Sequence, residues 1–213
     1  MLIILKIFIM KGIVKEIAFS PDSTKLAVCQ SDCIIFVYNL GRTWGDKKVI
    51  CNKFEQNFPV TAMIWPNKKV NELFFGVADG KVKKAILKNN SANALYSTGS
   101  FVIALSYNQE NTNIISSHMD NSIYCYNIEK GTSIKICNSQ NISYCLSYLL
   151  YDKFLSSSLE KKIFIHNENG EIYQTFDYSS NPDVKDFSIC KINTNFDIIA
   201  IGNYNKLFIY GYN

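Results

Sequence analysis

Val14–Asn39 reads VKEIAFSPDSTKLAVCQSDCIIFVYN: three short apolar runs separated by small groups of polar residues. The runs are VKEIAFS from Val14, LAVCQ from Leu26 and IIFVYN from Ile34. Ile, Val, Phe and Tyr suit a pleated surface, whereas Pro21, Asp22, Ser31 and Asp32 are turn residues. The spacing is that of strand, turn, strand, turn, strand, and helical periodicity is hard to find here or elsewhere. A fourth apolar run, KVICNKF from Lys48, completes the group.

The group recurs. Aligning the apolar residue that opens each one gives Val14, Val60, Val102, Ile142 and Val184, at intervals of 46, 42, 40 and 42 residues. Each second strand ends in small residues, as in LFFGVA from Leu73, IISSHM from Ile114 and IIAIGN from Ile198. A polar turn follows each time, at Asp79-Gly80, Asp120-Asn121, Glu160-Lys161 and Asn203–Asn205, of the kind that tolerates positive φ. Third strands close with a ring and Asn at Tyr38-Asn39, Tyr126-Asn127 and His166-Asn167.

Four antiparallel strands every 40–46 residues is the period of WD-type propeller blades. A single blade leaves one apolar face uncovered, so neighbouring blades must stack to bury it. The predicted fold is therefore all-β, a WD40-type β-propeller that is incomplete: four full four-stranded blades and a three-stranded fifth. The expected blades run over about 13–54, 59–99, 101–138, 142–178 and 184–213. Small residues on the second strands (Ala27, Gly76, Ser116, Ser156, Gly202) suit the crowded inner part of such an assembly. The Trp-Asp dipeptide of WD blades is replaced by Tyr-Asn or His-Asn. The ring keeps its packing role, Asn still bonds to nearby backbone, and a charged hydrogen-bond partner is lost.

The 213 residues are 47% hydrophobic with a net charge of +4, globular in composition and well short of a dedicated nucleic-acid binder. Seven cysteines, an odd number with no CxxC pair, read as reduced structural thiols rather than a zinc ribbon or redox motif. In that setting the sequons at Asn89 and Asn141 are chance matches. Met1–Met10, MLIILKIFIM, is too short to span a bilayer, is interrupted by Lys6 and lacks a cleavage site. It reads as a strand, with a targeting peptide as the alternative.

Two histidines leave little material for catalysis. Ser116, His118 and Asp120 offer the residue types of a triad, but alternate positions on one strand share a face without making triad geometry. Asp32, Asp79 and Asp120 lie about one blade apart and read as turn residues rather than metal ligands. Lysines cluster at Lys47-Lys48, Lys68-Lys69, Lys81 with Lys83-Lys84, and Lys161-Lys162. No Gly-rich phosphate loop accompanies them. They read as a solvated face, or as a basic rim for acidic partners or anionic lipid heads. No catalytic, cofactor-binding or metal residue is expected, and neither nucleic acid nor a small-molecule substrate is implied.

Three segments go beyond the general repeat: FSPDSTKLAVCQSD (Phe19–Asp32), WGDKKVICNKF (Trp44–Phe54) and YQTFDYS (Tyr173–Ser179). They resemble the N-terminal propeller of the intraflagellar transport protein 172 family, large peripheral subunits of the ciliary complex B train. VADGKVK (Val77–Lys83) and SHMDNSI (Ser117–Ile123) fit the same family in order and spacing. The resemblance covers Gly12 to the C-terminus, leaving residues 1–11 as a strand or extension outside it and 12–213 as a propeller fragment. It implies a non-enzymatic interaction scaffold in cilium and flagellum assembly and maintenance, partnered by other transport subunits. It also implies a cytoplasmic, ciliary and basal-body location, with weak membrane-surface contact a further possibility. The alternative is a generic WD-repeat adaptor in vesicle coats or membrane trafficking. Strand counting adds that Leu2–Met10 pairs with Lys206–Tyr210 or caps the first blade.

Overall fold

Turn residues at regular intervals cut the apolar runs into hairpins, and the hairpins assemble into five small sheets. The computed structural model describes residues 9–43, 46–47, 49–139, 141–157 and 159–211. The chain divides into two units, Met1–Ser97 and Thr98–Asn213.

The first unit holds two four-stranded antiparallel sheets, each paired in sequence order. One contains β1 (Val14–Phe19), β2 (Lys25–Gln30), β3 (Ile34–Asn39) and β4 (Val49–Glu55). The other contains β5 (Val60–Ile64), β6 (Glu72–Val77), β7 (Lys81–Ile86) and β8 (Ser91–Ser97), with a 3₁₀ turn at Leu87–Asn89. Alternation puts Ala27, Ile35, Val37 and Phe54 of the first sheet against Leu73 and Phe75 of the second, all buried. The larger of these side chains each contribute roughly 1.5–3 kcal/mol when fully removed from water.

The second unit holds three sheets built the same way. They are β9 (Val102–Tyr107) to β12 (Thr132–Asn138) through β10 (Asn113–His118) and β11 (Ser122–Asn127); then β13 (Leu146–Tyr148), β14 (Phe154–Ser157), β15 (Lys162–His166) and β16 (Ile172–Asp177); then β17 (Ile189–Ile192), β18 (Ile198–Asn203) and β19 (Lys206–Gly211). One core joins Ile115 and Ile123 to Leu146, Tyr148 and Phe154; another joins Leu155 and Ile163 to Val184, Phe187 and Ile201. The architecture is the all-β, WD40-type propeller construction read from the repeat. Tyr38, Tyr126 and His166, the rings in the Trp position, are all buried.

Two first strands begin later than their apolar openers. In the fourth sheet Ile142 precedes the strand, because side chains take over the ladder there. Ser143 Oγ donates to the Ser157 carbonyl at 2.9 Å, and the Cys145 N–H donates to Ser157 Oγ at 3.0 Å. In the fifth sheet Val184 and Phe187 are buried as core fillers, and Asn203 Oδ1 accepts the Lys185 N–H at 2.8 Å. Extension starts only at Ile189. The expected capping strand falls mainly on residues 1–8, outside the described residues; Ile9 and Met10 are not in a strand.

Candidate interaction surfaces

The histidines organise two buried polar locks. His118 ends β10, where Nε2 lies 2.7 Å from Ser116 Oγ and Nδ1 lies 3.0 Å from the Ser100 carbonyl. A carbonyl only accepts, so Nδ1 carries the proton and Nε2 accepts from the Ser116 hydroxyl. His166 repeats the arrangement in the next sheet, with Ser156 Oγ at 2.8 Å from Nε2 and the Gly170 carbonyl at 3.0 Å from Nδ1. Its ring stacks on Phe154 at a 4.6 Å centroid separation. Burial pushes both imidazoles below their ordinary pKa, only partly opposed by the hydrogen bonds to Ser100 and Gly170.

Ser116 and His118 are therefore bonded, but both are fully buried. The Asp120 carboxylate instead turns to Ser122, accepting its N–H at 3.2 Å and its hydroxyl at 2.5 Å. Asp79 similarly accepts the Lys81 N–H at 3.2 Å, the turn chemistry expected of these aspartates. Asn39, Asn127 and Asn167 accept backbone N–H groups of the turns that follow them. Among the described residues no three His, Cys, Asp or Glu side chains are grouped to hold a metal. All seven cysteines are free thiols. Burial pushes Cys29 up to about 12 and Cys137 to about 11. Cys145 is raised by its hydrogen bond with Cys190 and by burial.

Among the described residues each unit has a cleft open to the surface. In the first unit Gln56, Asn57, Phe58, Asp79, Lys81 and Lys83 line about 240 Å³. There Lys81 pairs with Asp79, and Lys83 Nζ donates to Gln56 Oε1 at 2.5 Å, while burial lowers the Lys83 pKa. In the second unit Asn127, Lys130, Tyr148, Asp152, Glu168 and Asn169 are among those lining about 320 Å³. The Asp152 carboxylate is held by Asn108 Nδ2 at 2.9 Å. The other lysine clusters are partly paired: Lys162 stands 3.6 Å from Glu160 and 3.5 Å from Asp177.

Against known proteins, the family model "WD domain, G-beta repeat" matches residues 6–39. Intraflagellar transport protein 172 of Chlamydomonas reinhardtii is 38% identical over 208 residues, covering 94% of this chain and 12% of that protein. The Homo sapiens homolog is 37% identical over 203 residues, 93% of the chain and 11% of the relative. Intraflagellar transport protein osm-1 of Caenorhabditis elegans is 33% identical over 194 residues, 91% and 11% respectively. This chain is a WD-repeat homologue of intraflagellar transport protein 172.

As such a homologue it spans about 12% of the Chlamydomonas relative's length. The similarity takes in nearly the whole chain, in keeping with a resemblance that covers Gly12 to the C-terminus. Among the described residues no helix is long and apolar enough to cross a membrane. The cleft around Asp152 and Glu168 escaped the sequence reading. Asp152 reaches it from a turn of consecutive left-handed residues, Tyr151 at φ 59° and Asp152 at φ 54°, neither of which is a glycine that would mark the turn.

Proposed function

We propose that this chain is the propeller part of an intraflagellar transport subunit, acting as a non-enzymatic scaffold of complex B in cilium and flagellum assembly and maintenance. The observation that carries the reading is 33–38% identity across more than nine-tenths of the chain to proteins named for intraflagellar transport. Blade loops on a rigid β scaffold are the usual places for docking other proteins. The solvent-closed Ser–His pairs fit a structural rather than a catalytic use of these residues. On this reading residues 12–213 form the interaction body, its partners are other transport subunits, and it resides in the cytoplasm, cilium and basal body. No cofactor enters the proposed role. A vesicle-coat or trafficking adaptor remains the alternative, with less behind it, because the relatives reported above carry intraflagellar transport in their names.

Segment exchange tests the proposal. Replacing the matching segment of the Chlamydomonas protein with this chain is expected to restore flagella in cells lacking that protein. Normal folding and expression of the chimera without any flagellar growth would contradict the reading.

A further inference from the structure

Charge is divided unevenly along the chain. Residues 1–97 carry fourteen Lys and Arg against seven Asp and Glu, whereas residues 98–213 carry eight against eleven. The excess in the first unit gathers at one end of its sheets. Asn52 Nδ2 of β4 donates to the Leu87 carbonyl at 2.8 Å and lies 3.0 Å from Asn90 Oδ1. These bonds bring the side of the β3–β4 connection next to the β7–β8 turn. The end so formed also takes in the β1–β2 and β5–β6 connections.

Lys25, Arg42, Lys47, Lys68, Lys69 and Lys88 all sit on or beside these connections. The carboxylates among them are already engaged. Asp22 accepts the Ser20 hydroxyl at 2.6 Å and the Thr24 hydroxyl at 2.9 Å. Asp46 accepts the N–H groups of Arg42 and Thr43 at 2.5 and 2.8 Å. Glu72 is shared by Lys69 and Lys84, each at 3.9 Å. These bonds fix the three carboxylates in place without removing the charge of Asp22 and Asp46, and six cations against three carboxylates leave this end net cationic.

We infer that the basic end of the first unit docks an acidic polypeptide segment of a partner protein. Lysine ammonium groups are mobile point charges that suit a flexible run of Asp and Glu. The exposed Asn89 amide stands among the cations and can bond peptide groups as well as carboxylates. The fixed carboxylates of Asp22 and Asp46 disfavour a flat anionic bilayer pressed over the whole end, whereas a single chain can thread between them. Attraction of this kind acts mainly on encounter rate and weakens as salt screens it. The inference deepens the scaffold reading by naming the partner's chemistry. It rests on that reading only for the biological partner.

The test uses the purified 213-residue chain and a labelled short oligoglutamate peptide, followed by fluorescence anisotropy across a sodium chloride series. Binding at low salt that falls steadily as salt rises is expected. Exchanging three exposed lysines together, Lys47→Glu, Lys68→Glu and Lys88→Glu, should weaken it by about tenfold. The pair Lys135→Glu and Lys191→Glu in the second unit should leave it unchanged, and thermal melts of both variants confirm folding. Four results would overturn the inference: no peptide binding at low salt; equal weakening by the second-unit pair; preference for phosphatidylserine-containing vesicles over the peptide; or salt-reversible self-association in sedimentation, which would make a second copy the occupant. Ciliary location is measured in cells, so its failure is distinguishable from all four.

Discussion

His118 is fully buried and meets three polar groups, the Ser116 hydroxyl, the Ser100 carbonyl and the Thr98 hydroxyl (2.9 Å from Nδ1), so its removal takes a partner from each. His118→Leu removes these buried hydrogen bonds and is expected to cost about 2–3 kcal/mol in urea unfolding; a change within about 0.5 kcal/mol would refute the lock. The pH dependence has a definite sign. Both imidazoles have depressed folded pKa values, so below about pH 6.5 the unfolded chain binds protons that the folded chain refuses. Their stabilising contribution is complete above that pH and declines as pH falls toward the folded values. Thermal melts between neutral and mildly acidic pH should show this loss, reduced in the His118→Leu background; a flat wild-type profile would count against it. These roles were only half legible in the sequence. Two positions apart on a strand already implied that Ser116 and His118 share a face, but nothing in the spacing revealed that Ser100 approaches from the preceding loop.

At the scale of elements, the turn after β15 is wedged against β12. Gly170 has φ 85°, and a Cβ there would lie 2.6 Å from Ile136 Cγ2 and 2.9 Å from Cys137 Cβ. Gly170→Ala therefore combines a left-handed backbone with overpacking, and its expected cost is roughly 2–4 kcal/mol by chemical denaturation. A near-neutral result would mean the turn can move away from β12. The fifth sheet predicts a different behaviour. Leu207 and Ile209 are each 67% exposed on β19, and among the described residues this strand's outer edge pairs with no other strand. Ile209→Lys should lower concentration-dependent light scattering, since charges on an edge block strand addition; unchanged scattering would place the association elsewhere. The sheets were readable because the turn residues recur with the blade. The starts of the fourth and fifth were not, because apolar residues mark burial, and Val184 and Phe187 are buried without being extended.

For the molecule as a whole, the repeat period carried most of the information about architecture, since stacked blades each need an apolar face and a tight turn at fixed intervals. Local clusters such as Lys47-Lys48 and Lys68-Lys69 stand out in the sequence, but the opposite charge of the chain's two halves emerges only on summing along the length. The likeness to intraflagellar transport protein 172 was legible through the order of residues such as those in Trp44–Phe54, which no strand or turn demands. The central claim is that the chain serves intraflagellar transport, and the location of the tagged full-length gene product in its own ciliated cells tests it most directly. The account predicts signal at the basal body together with particles travelling along the axoneme in both directions. Signal confined to vesicles or diffuse cytoplasm, with none in the cilium, would contradict it.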